Sequence, residues 1–287
     1  MSAAAPAKPA ATPKHGRRVV IAWLILSAVA TPLVAIYVGP LFPPGNATVQ
    51  SQGQVFDNQV MTALMTPVIC LLVVFFVYGL LKFRAGENEA LLDGPPLRND
   101  ATVQVLWIVI TSAMVLFLAG FGTYELLQDG SGGGQGPNPI ALPAGHQTAF
   151  QVQVIGQQWQ FTYRYPSLGG LESNQLVLPA NRVIEIHVTS LDVVHSFWAV
   201  ELGVKADANP GVDNVSYVET KAPATFHVRC AELCGLWHGY MFNNGRVVGA
   251  AQFRAWAKQA VKTYEPIAKY VPKYAHIYLP DPQRRAG

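Results

Sequence analysis

The sequence predicts a membrane-anchored all-β protein, in which transmembrane helices precede one small β-sandwich. Only 13% of its 287 residues are charged while 51% are hydrophobic, and soluble chains are about 25% charged. The hydrophobic residues concentrate in three uncharged blocks in the first half of the chain. Short β-branched and aromatic runs, separated by turn residues, follow in the second half and are typical of an all-β domain.

Each hydrophobic block has the length of a membrane-spanning helix. The blocks cover residues 19–38, 58–81 and 101–124, and a spanning helix needs about 20 apolar residues. We expect the second and third blocks to form a transmembrane hairpin over 58–127. The first block follows a basic tail, residues 1–18, and is either an extra first helix or a signal segment. Its length favours a retained helix.

The distribution of basic residues predicts the orientation of these helices. The N-terminal tail contains four Lys or Arg residues, the segment 39–57 contains none, and the segment 82–100 contains three. Loops rich in Lys and Arg stay on the inner side of the membrane. The chain after residue 124 is therefore expected outside, which in a bacterial inner membrane is the periplasmic side of a multi-pass protein.

The second half of the chain divides into three parts. Residues 128–145 are rich in Gly and Pro and predict a flexible connector. Residues 146–250 contain the short strand-like runs and predict a small antiparallel β-sandwich or barrel. Residues 251–287 predict a helix over 252–264, followed by a basic tail.

Charge distinguishes the β domain from this tail. Residues 125–249 contain six basic and ten acidic residues, whereas residues 250–287 contain seven basic and two acidic residues. An acidic domain would steer a basic partner toward itself. The overall net charge of +3 is too small to indicate nucleic-acid binding, so the expected partners are proteins and membrane lipid.

A cluster of soft ligands is the chemically decisive feature of the sequence. Cys230, Cys234, His238 and Met241 fall within twelve residues, which places two thiolates, an imidazole and a thioether on one short loop. His195, in an earlier apolar run, offers a second imidazole. Such a set suits copper better than magnesium, calcium or manganese.

Three other uses of the two cysteines are weaker. A disulfide in an oxidising compartment would leave His238 and Met241 unexplained, and structural zinc has no use for Met241. Attachment of c-type haem needs Cys-x-x-Cys-His, which the chain lacks. A blue copper site needs one thiolate, whereas two thiolates allow sulfur bridging between two copper ions.

The pattern Cys-x-Glu-x-Cys-x-x-x-His-x-x-Met, after an upstream His-Ser-Phe-Trp, resembles the dinuclear copper site, CuA, of subunit II of haem–copper cytochrome c oxidase. The resemblance covers about residues 58–260 and implies a helical hairpin followed by a cupredoxin-like β-sandwich. Residues 205–211 (Lys-Ala-Asp-Ala-Asn-Pro-Gly) and 156–161 (Gly-Gln-Gln-Trp-Gln-Phe) are similar to two further segments of that family.

The resemblance also implies a role for each matching residue. Cys230 and Cys234 would bridge the two coppers, His195 and His238 would each ligate one, and Met241 would be a weak ligand. Glu232 would give its backbone carbonyl to copper and its carboxylate to a Mg²⁺ or Mn²⁺ shared with subunit I. Trp159 would be the residue through which electrons enter. The implied copper ligands are His195, Cys230, Glu232, Cys234, His238 and Met241.

The function implied by the resemblance is that of subunit II of a terminal cytochrome c oxidase. The chain would accept electrons from reduced cytochrome c, or a similar basic donor, at the copper centre. It would pass them to haem in subunit I, where O₂ reduction is coupled to proton pumping. The enzyme is the complex, with subunit III as a further partner, and we expect no haem in this chain.

One residue departs from the family pattern, and two other functions stay open. Gln104 stands where the family often has a Glu that serves proton uptake, and a Gln side chain cannot titrate. The CuA subunit of a nitric oxide reductase would carry the same copper ligands. A membrane-anchored copper carrier or electron shuttle would use them without an oxidase partner.

Overall fold

The computed structural model describes residues 14–84, 100–128, 136, 139 and 141–268. The described residues form two compact units, one within residues 1–39 and 59–99 and the other within residues 40–58 and 100–287. The predicted connector over 128–145 lies largely outside the described residues, and the tail beyond residue 268 lies wholly outside them.

Three long apolar helices account for the three hydrophobic blocks. They are α1 (His15–Leu33), which continues through tighter and wider turns to Leu41, α2 (Val49–Lys82) and α3 (Ala101–Gln128). By length and composition, each is able to cross a membrane. The expectation of three apolar helices ahead of the β domain is therefore confirmed, while the hairpin of the second and third stays a prediction.

Polar contacts join α1 to α2 within the first unit. His15 Nδ1 lies 2.7 Å from the Tyr78 hydroxyl oxygen. Trp23 Nε1 donates a hydrogen bond of 2.8 Å to the carbonyl oxygen of Pro67. The first hydrophobic block thus packs as a helix against the second, while its retention in the mature protein stays a prediction.

Helix α3 begins with a side-chain cap. The Asp100 carboxylate accepts hydrogen bonds from the backbone N–H groups of Thr102 (2.9 Å) and Val103 (3.2 Å), which satisfies two donors that a helix start leaves without partners. Gln104 follows in the first turn, where its N–H donates to the Asp100 carbonyl.

The described part of the second unit contains two five-stranded sheets, which confirms the predicted β-sandwich. One sheet has the order β3-β2-β1-β5-β8, with strands β1 (Phe150–Gln157), β2 (Gln160–Tyr165), β3 (Leu171–Ser173), β5 (Val183–Ser190) and β8 (Asn214–Glu219). The other has the order β4-β10-β9-β6-β7, with strands β4 (Val177–Pro179), β6 (His195–Ala199), β7 (Val204–Ala208), β9 (Ala224–Cys230) and β10 (Phe242–Val248).

The prediction of purely antiparallel pairing is wrong at two places. Strand β5 runs parallel to β1, and β4 runs parallel to β10. Parallel neighbours need a crossover connection of a dozen or more residues, and β2, β3 and β4 lie between β1 and β5 in the chain. Burial patterns identify strands but not the direction of their partners, so the sequence pattern alone could not show this.

Aromatic side chains fill the space between the sheets. Phe161, Tyr163, Tyr165, Phe197 and Phe226 are all fully buried. Phe161 and Phe197 meet edge to face, with ring centroids 5.7 Å apart, a favoured arrangement of two aromatic rings. The buried Tyr165 hydroxyl accepts a hydrogen bond of 2.8 Å from the Val177 N–H, so its polar atom has a partner.

Helix α4 (Ala250–Ala268) covers one end of the sandwich. It includes the predicted helix over 252–264 and is longer at both ends. Phe253 packs edge-on against Phe150 with centroids 5.3 Å apart, and Trp256 packs against Tyr165 at 5.1 Å. Its apolar face therefore extends the core.

The start of α2 is bonded to the sandwich within the second unit. The Thr48 hydroxyl donates to the Leu202 carbonyl (2.7 Å), and Gln54 Nε2 donates to the Gly203 carbonyl (2.6 Å). These bonds fix the first turns of α2 beside the β6–β7 connection.

Candidate metal centre

The candidate ligands converge because two neighbouring strands end at the same edge of a sheet. His195 begins β6 and Cys230 ends β9, and these strands are antiparallel neighbours with Phe197 opposite Cys230. The Ala231 N–H donates to the Ser196 carbonyl (2.9 Å), and the Cys230 N–H donates to the Met241 carbonyl (3.0 Å). Both ends of the loop are thus held by backbone hydrogen bonds.

The sulfur and nitrogen atoms form a compact cluster. Cys230 Sγ and Cys234 Sγ lie 3.8 Å apart. His195 Nδ1 is 3.9 Å from Cys230 Sγ, and His238 Nδ1 is 3.4 Å from Cys234 Sγ. Met241 Sδ lies 3.8 Å from Cys234 Sγ. Each sulfur therefore has one imidazole beside it, with the thioether at the Cys234 end.

This donor set fits soft metal ions. A metal–thiolate bond is about 2.3 Å long, so two sulfur atoms 3.8 Å apart can both contact one metal ion. The same two sulfur atoms leave room for a second metal ion. The imidazoles of His195 and His238, beside Cys230 and Cys234, would supply further ligands. Thiolate, thioether and imidazole ligands together favour copper.

Burial controls both access to the site and its protonation. His195, Cys230, Cys234 and Met241 are all buried. Burial raises the pKa of the Cys234 thiol, and the neighbouring Cys230 raises it further, to about 12. A metal ion must therefore displace the thiol proton when it binds.

The sequence-predicted ligands differ in how closely their ligand atoms lie together. The ligand atoms of His195, Cys230 and Cys234 all lie within 4.8 Å of one another. His238 is half-buried and approaches from the Cys234 side. The Glu232 carbonyl accepts a hydrogen bond of 3.2 Å from the Cys230 thiol, while the rest of Glu232 is exposed.

Trp159 lies directly against the cluster, in the turn between β1 and β2. Its indole N–H donates to the Cys234 carbonyl oxygen at 3.1 Å. Gly235 makes this approach possible: its φ is +113°, and a Cβ there would lie 3.0 Å from Gln158 Nε2 and 3.4 Å from Trp159 Nε1. A larger residue would push the turn away from the loop of residues 230–241, which we call the metal loop.

Asp192 and Gln158 also belong to the site, although the sequence reasoning assigned them no role. Asp192 Oδ1 lies 2.9 Å from His195 Nε2, and Asp192 Oδ2 accepts a 2.7 Å hydrogen bond from the Gln158 N–H. Gln158 Nε2 donates to the Cys234 carbonyl at 2.8 Å. Metal-binding histidines usually have such a carboxylate partner, so an Asp three residues before His195 was a usable signal.

Comparison with known proteins agrees with this geometry. The family model described as "Cytochrome C oxidase subunit II, periplasmic domain" matches residues 171–245, which include every candidate copper ligand. Cytochrome c oxidase subunit 2 of Synechocystis sp. is 27% identical over 259 residues, covering 78% of this chain and 77% of the relative. The corresponding protein of Thermostichus vulcanus is 24% identical over 301 residues, covering 88% and 90%.

A solved structure adds to these relatives. The periplasmic domain of subunit II of cytochrome oxidase (CoxB) from Bradyrhizobium japonicum is 33% identical, covering 40% of this chain and 95% of that chain, with a TM-score of 0.39. Sequence similarity to the two curated relatives thus spans most of the chain. The chain belongs to the cytochrome c oxidase subunit II family.

Proposed function

We propose that this chain is the subunit through which electrons enter a terminal cytochrome c oxidase. In this proposal it accepts electrons from reduced cytochrome c and passes them to haem in subunit I, where O₂ is reduced and protons are pumped. The observation that carries the proposal is the pair of buried sulfurs 3.8 Å apart, with one imidazole beside each. The residues that would hold the copper pair are His195, Cys230, Glu232 (through its carbonyl), Cys234, His238 and Met241.

When bound, a pair of copper ions supplies a one-electron redox site shared over both thiolates. The protein contributes rigid placement of the ligands. Strands β6 and β9 and the bonded ends of the loop hold His195, Cys230 and Met241 in fixed positions, which such a site requires. Trp159 lies between the Cys234 carbonyl and the surface and would lead electrons inward.

Exposed groups around the loop support docking of partners. Leu233, Leu236, Trp237 and Tyr240 are exposed on the metal loop, and an apolar patch of this kind is typical of an interaction surface. The excess of acidic residues over 125–249 suits a basic electron donor.

The exposed Glu232 carboxylate is the group we assign to a Mg²⁺ or Mn²⁺ shared with subunit I. The further partners that we expect are subunit III and membrane lipid. We place the chain in a bacterial inner membrane, with the sandwich on the periplasmic side.

Electron paramagnetic resonance of the detergent-purified full-length chain with its partners tests the proposal. We expect a signal in which one unpaired electron couples to two copper nuclei. Cys230→Ser and Cys234→Ser should each abolish it, whereas Cys70→Ser, which changes the buried cysteine of α2, should leave it intact. A single-copper signal, or zinc in place of copper, would contradict the proposal.

A further inference from the structure

A row of alternating cations and aromatic rings crosses the outer face of the second sheet. In the strand register, Lys205 of β7 lies opposite Trp198 of β6, Trp198 lies opposite Arg229 of β9, and Arg229 lies opposite Phe242 of β10. All four side chains are exposed, because they alternate with residues that face the core. We call these four residues the cationic strip.

The cationic strip borders a cavity of about 600 Å³. Trp198, Lys205 and Arg229 line it, and Cys230 lies at its metal-loop end. Gln54, in the first turns of α2, closes another side and is held there by its hydrogen bond to Gly203. The cavity therefore joins the start of a membrane helix to the strand that carries a copper ligand.

The two cations of the strip have no acidic partner in the part of the chain that the structure describes. The ion pairs found there involve Arg164 and three histidines, but neither Lys205 nor Arg229. Arg229 instead lies over the Phe242 ring, 5.5 Å from its centroid. A guanidinium and an ammonium on either side of an indole are suited to bind a carboxylate.

We propose that the cationic strip docks an acidic surface of the haem-bearing oxidase subunit, and that one carboxylate of that subunit occupies the cavity between Lys205 and Arg229. This inference rests on the proposed function, because it requires that partner. Arg, Trp and Phe are the residues enriched at the centres of protein interfaces. Trp198 is 36% exposed and Phe242 is 55% exposed, so docking would also bury apolar surface.

The geometry favours this occupant over two others. The strip crosses four adjacent strands, a width of about 14 Å at the usual strand spacing, and one lipid phosphate would meet only part of it. A basic electron donor would be repelled by Lys205 and Arg229. An acidic protein surface satisfies both cations and both rings.

Retention of the haem-bearing subunit in detergent tests the proposal. Tagged full-length subunit II is purified with its partners over a series of NaCl concentrations, and haem absorbance per subunit II is measured. Lys205→Gln should release the partner at lower NaCl than wild type, and Lys205→Gln with Arg229→Gln should lower retention about tenfold at intermediate salt. Lys205→Arg should retain the partner. The matched control is Arg254→Gln with Lys258→Gln, which removes the same charge from α4 and should behave like wild type.

Two outcomes would overturn the proposal. One is retention by the double variant equal to that of wild type, and the other is an equal loss in the α4 control, which would indicate only a net-charge effect. Vesicles with and without phosphatidylglycerol cover the lipid alternative: lipid binding that depends on Lys205 and Arg229, with partner retention unchanged, would assign the strip to a phosphate. The copper signal of the same samples is read separately, so failure of the strip and failure of the copper centre are distinguishable.

Discussion

The indole N–H of Trp159 donates a hydrogen bond of 3.1 Å to the carbonyl oxygen of Cys234, which joins a half-buried surface ring to a buried candidate ligand. Gln158 donates to the same carbonyl and, through its backbone N–H, to the Asp192 partner of His195. One dipeptide therefore contacts both ends of the ligand cluster, directly at Cys234 and through Asp192 at His195.

Trp159→Phe should slow reduction of the copper centre by cytochrome c without removing copper. Phenylalanine keeps a ring in the turn but loses the bond to Cys234, so we expect a rate about tenfold lower and a stability loss of about 1 kcal/mol. Stopped-flow reduction of the full complex measures the rate, and metal analysis the copper content. Trp256→Phe, which alters an indole packed on Tyr165, is the control; an equal rate loss there would argue against a specific role of Trp159.

Asp192→Asn should weaken copper binding. The carboxylate lies 2.9 Å from His195 Nε2 and orients that imidazole toward Cys230. Loss of such a partner typically lowers metal affinity about tenfold to a hundredfold. Competition with a chelator measures affinity, and the hyperfine coupling reports on the geometry. Asp213→Asn removes the carboxylate beside His187. His187 lies in β5, in the other sheet from His195 and Cys230, so copper affinity and hyperfine coupling should be unchanged.

Gly235→Ala should destabilise the metal loop. The φ of +113° is unfavourable for any residue with a Cβ, and that atom would lie 3.0 Å from Gln158 Nε2. We expect a loss of about 1–3 kcal/mol together with a broadened copper signal. Gly239→Ala lies on the same loop with nothing within 4 Å of its Cβ position and should be tolerated. Equal tolerance of both changes in thermal unfolding would refute the close packing of loop and turn.

The stability of the sandwich should fall as pH rises from neutral to alkaline values. Burial lowers the pKa of His187, but its hydrogen bonds to Asp213 and Glu185 outweigh this effect and raise the pKa from 6.5 to about 9. Charged His187 thus stabilises the fold by about 3 kcal/mol. That contribution is complete below pH 6.5 and is lost as pH rises through 9.

Glu185, the second acidic partner of His187, predicts a separate loss of stability at low pH. Hydrogen bonding to His187 holds the pKa of Glu185 at about 2, so its contribution is complete above its ordinary pKa of 4.5 and is lost only as pH falls through 2. Unfolding temperatures of wild type and His187→Gln between pH 6 and 10 measure the alkaline effect. If the two curves stay parallel over this range, His187 does not contribute in this way.

Local patterns in the sequence predicted much of the fold. Uncharged apolar runs identified all three long helices, and the strand-like runs over 146–250 identified the sandwich, because both signals depend on neighbouring residues alone. The direction in which neighbouring strands pair could not be predicted in this way. The parallel register of β1 with β5 depends on how the chain crosses over between them, and a strand's burial pattern is the same for either direction of its neighbour.

The spacing of Cys230, Cys234, His238 and Met241 by itself determined that soft ligands share one loop, because four residues within twelve positions cannot lie far apart. Only the tertiary structure decided that Gln158 bonds to Cys234 and, through its backbone N–H, to Asp192, the partner of His195. It alone also decided that Lys205 and Arg229 flank one indole. These residues come from different strands and turns, and their distances are set by sheet register, which no local pattern encodes.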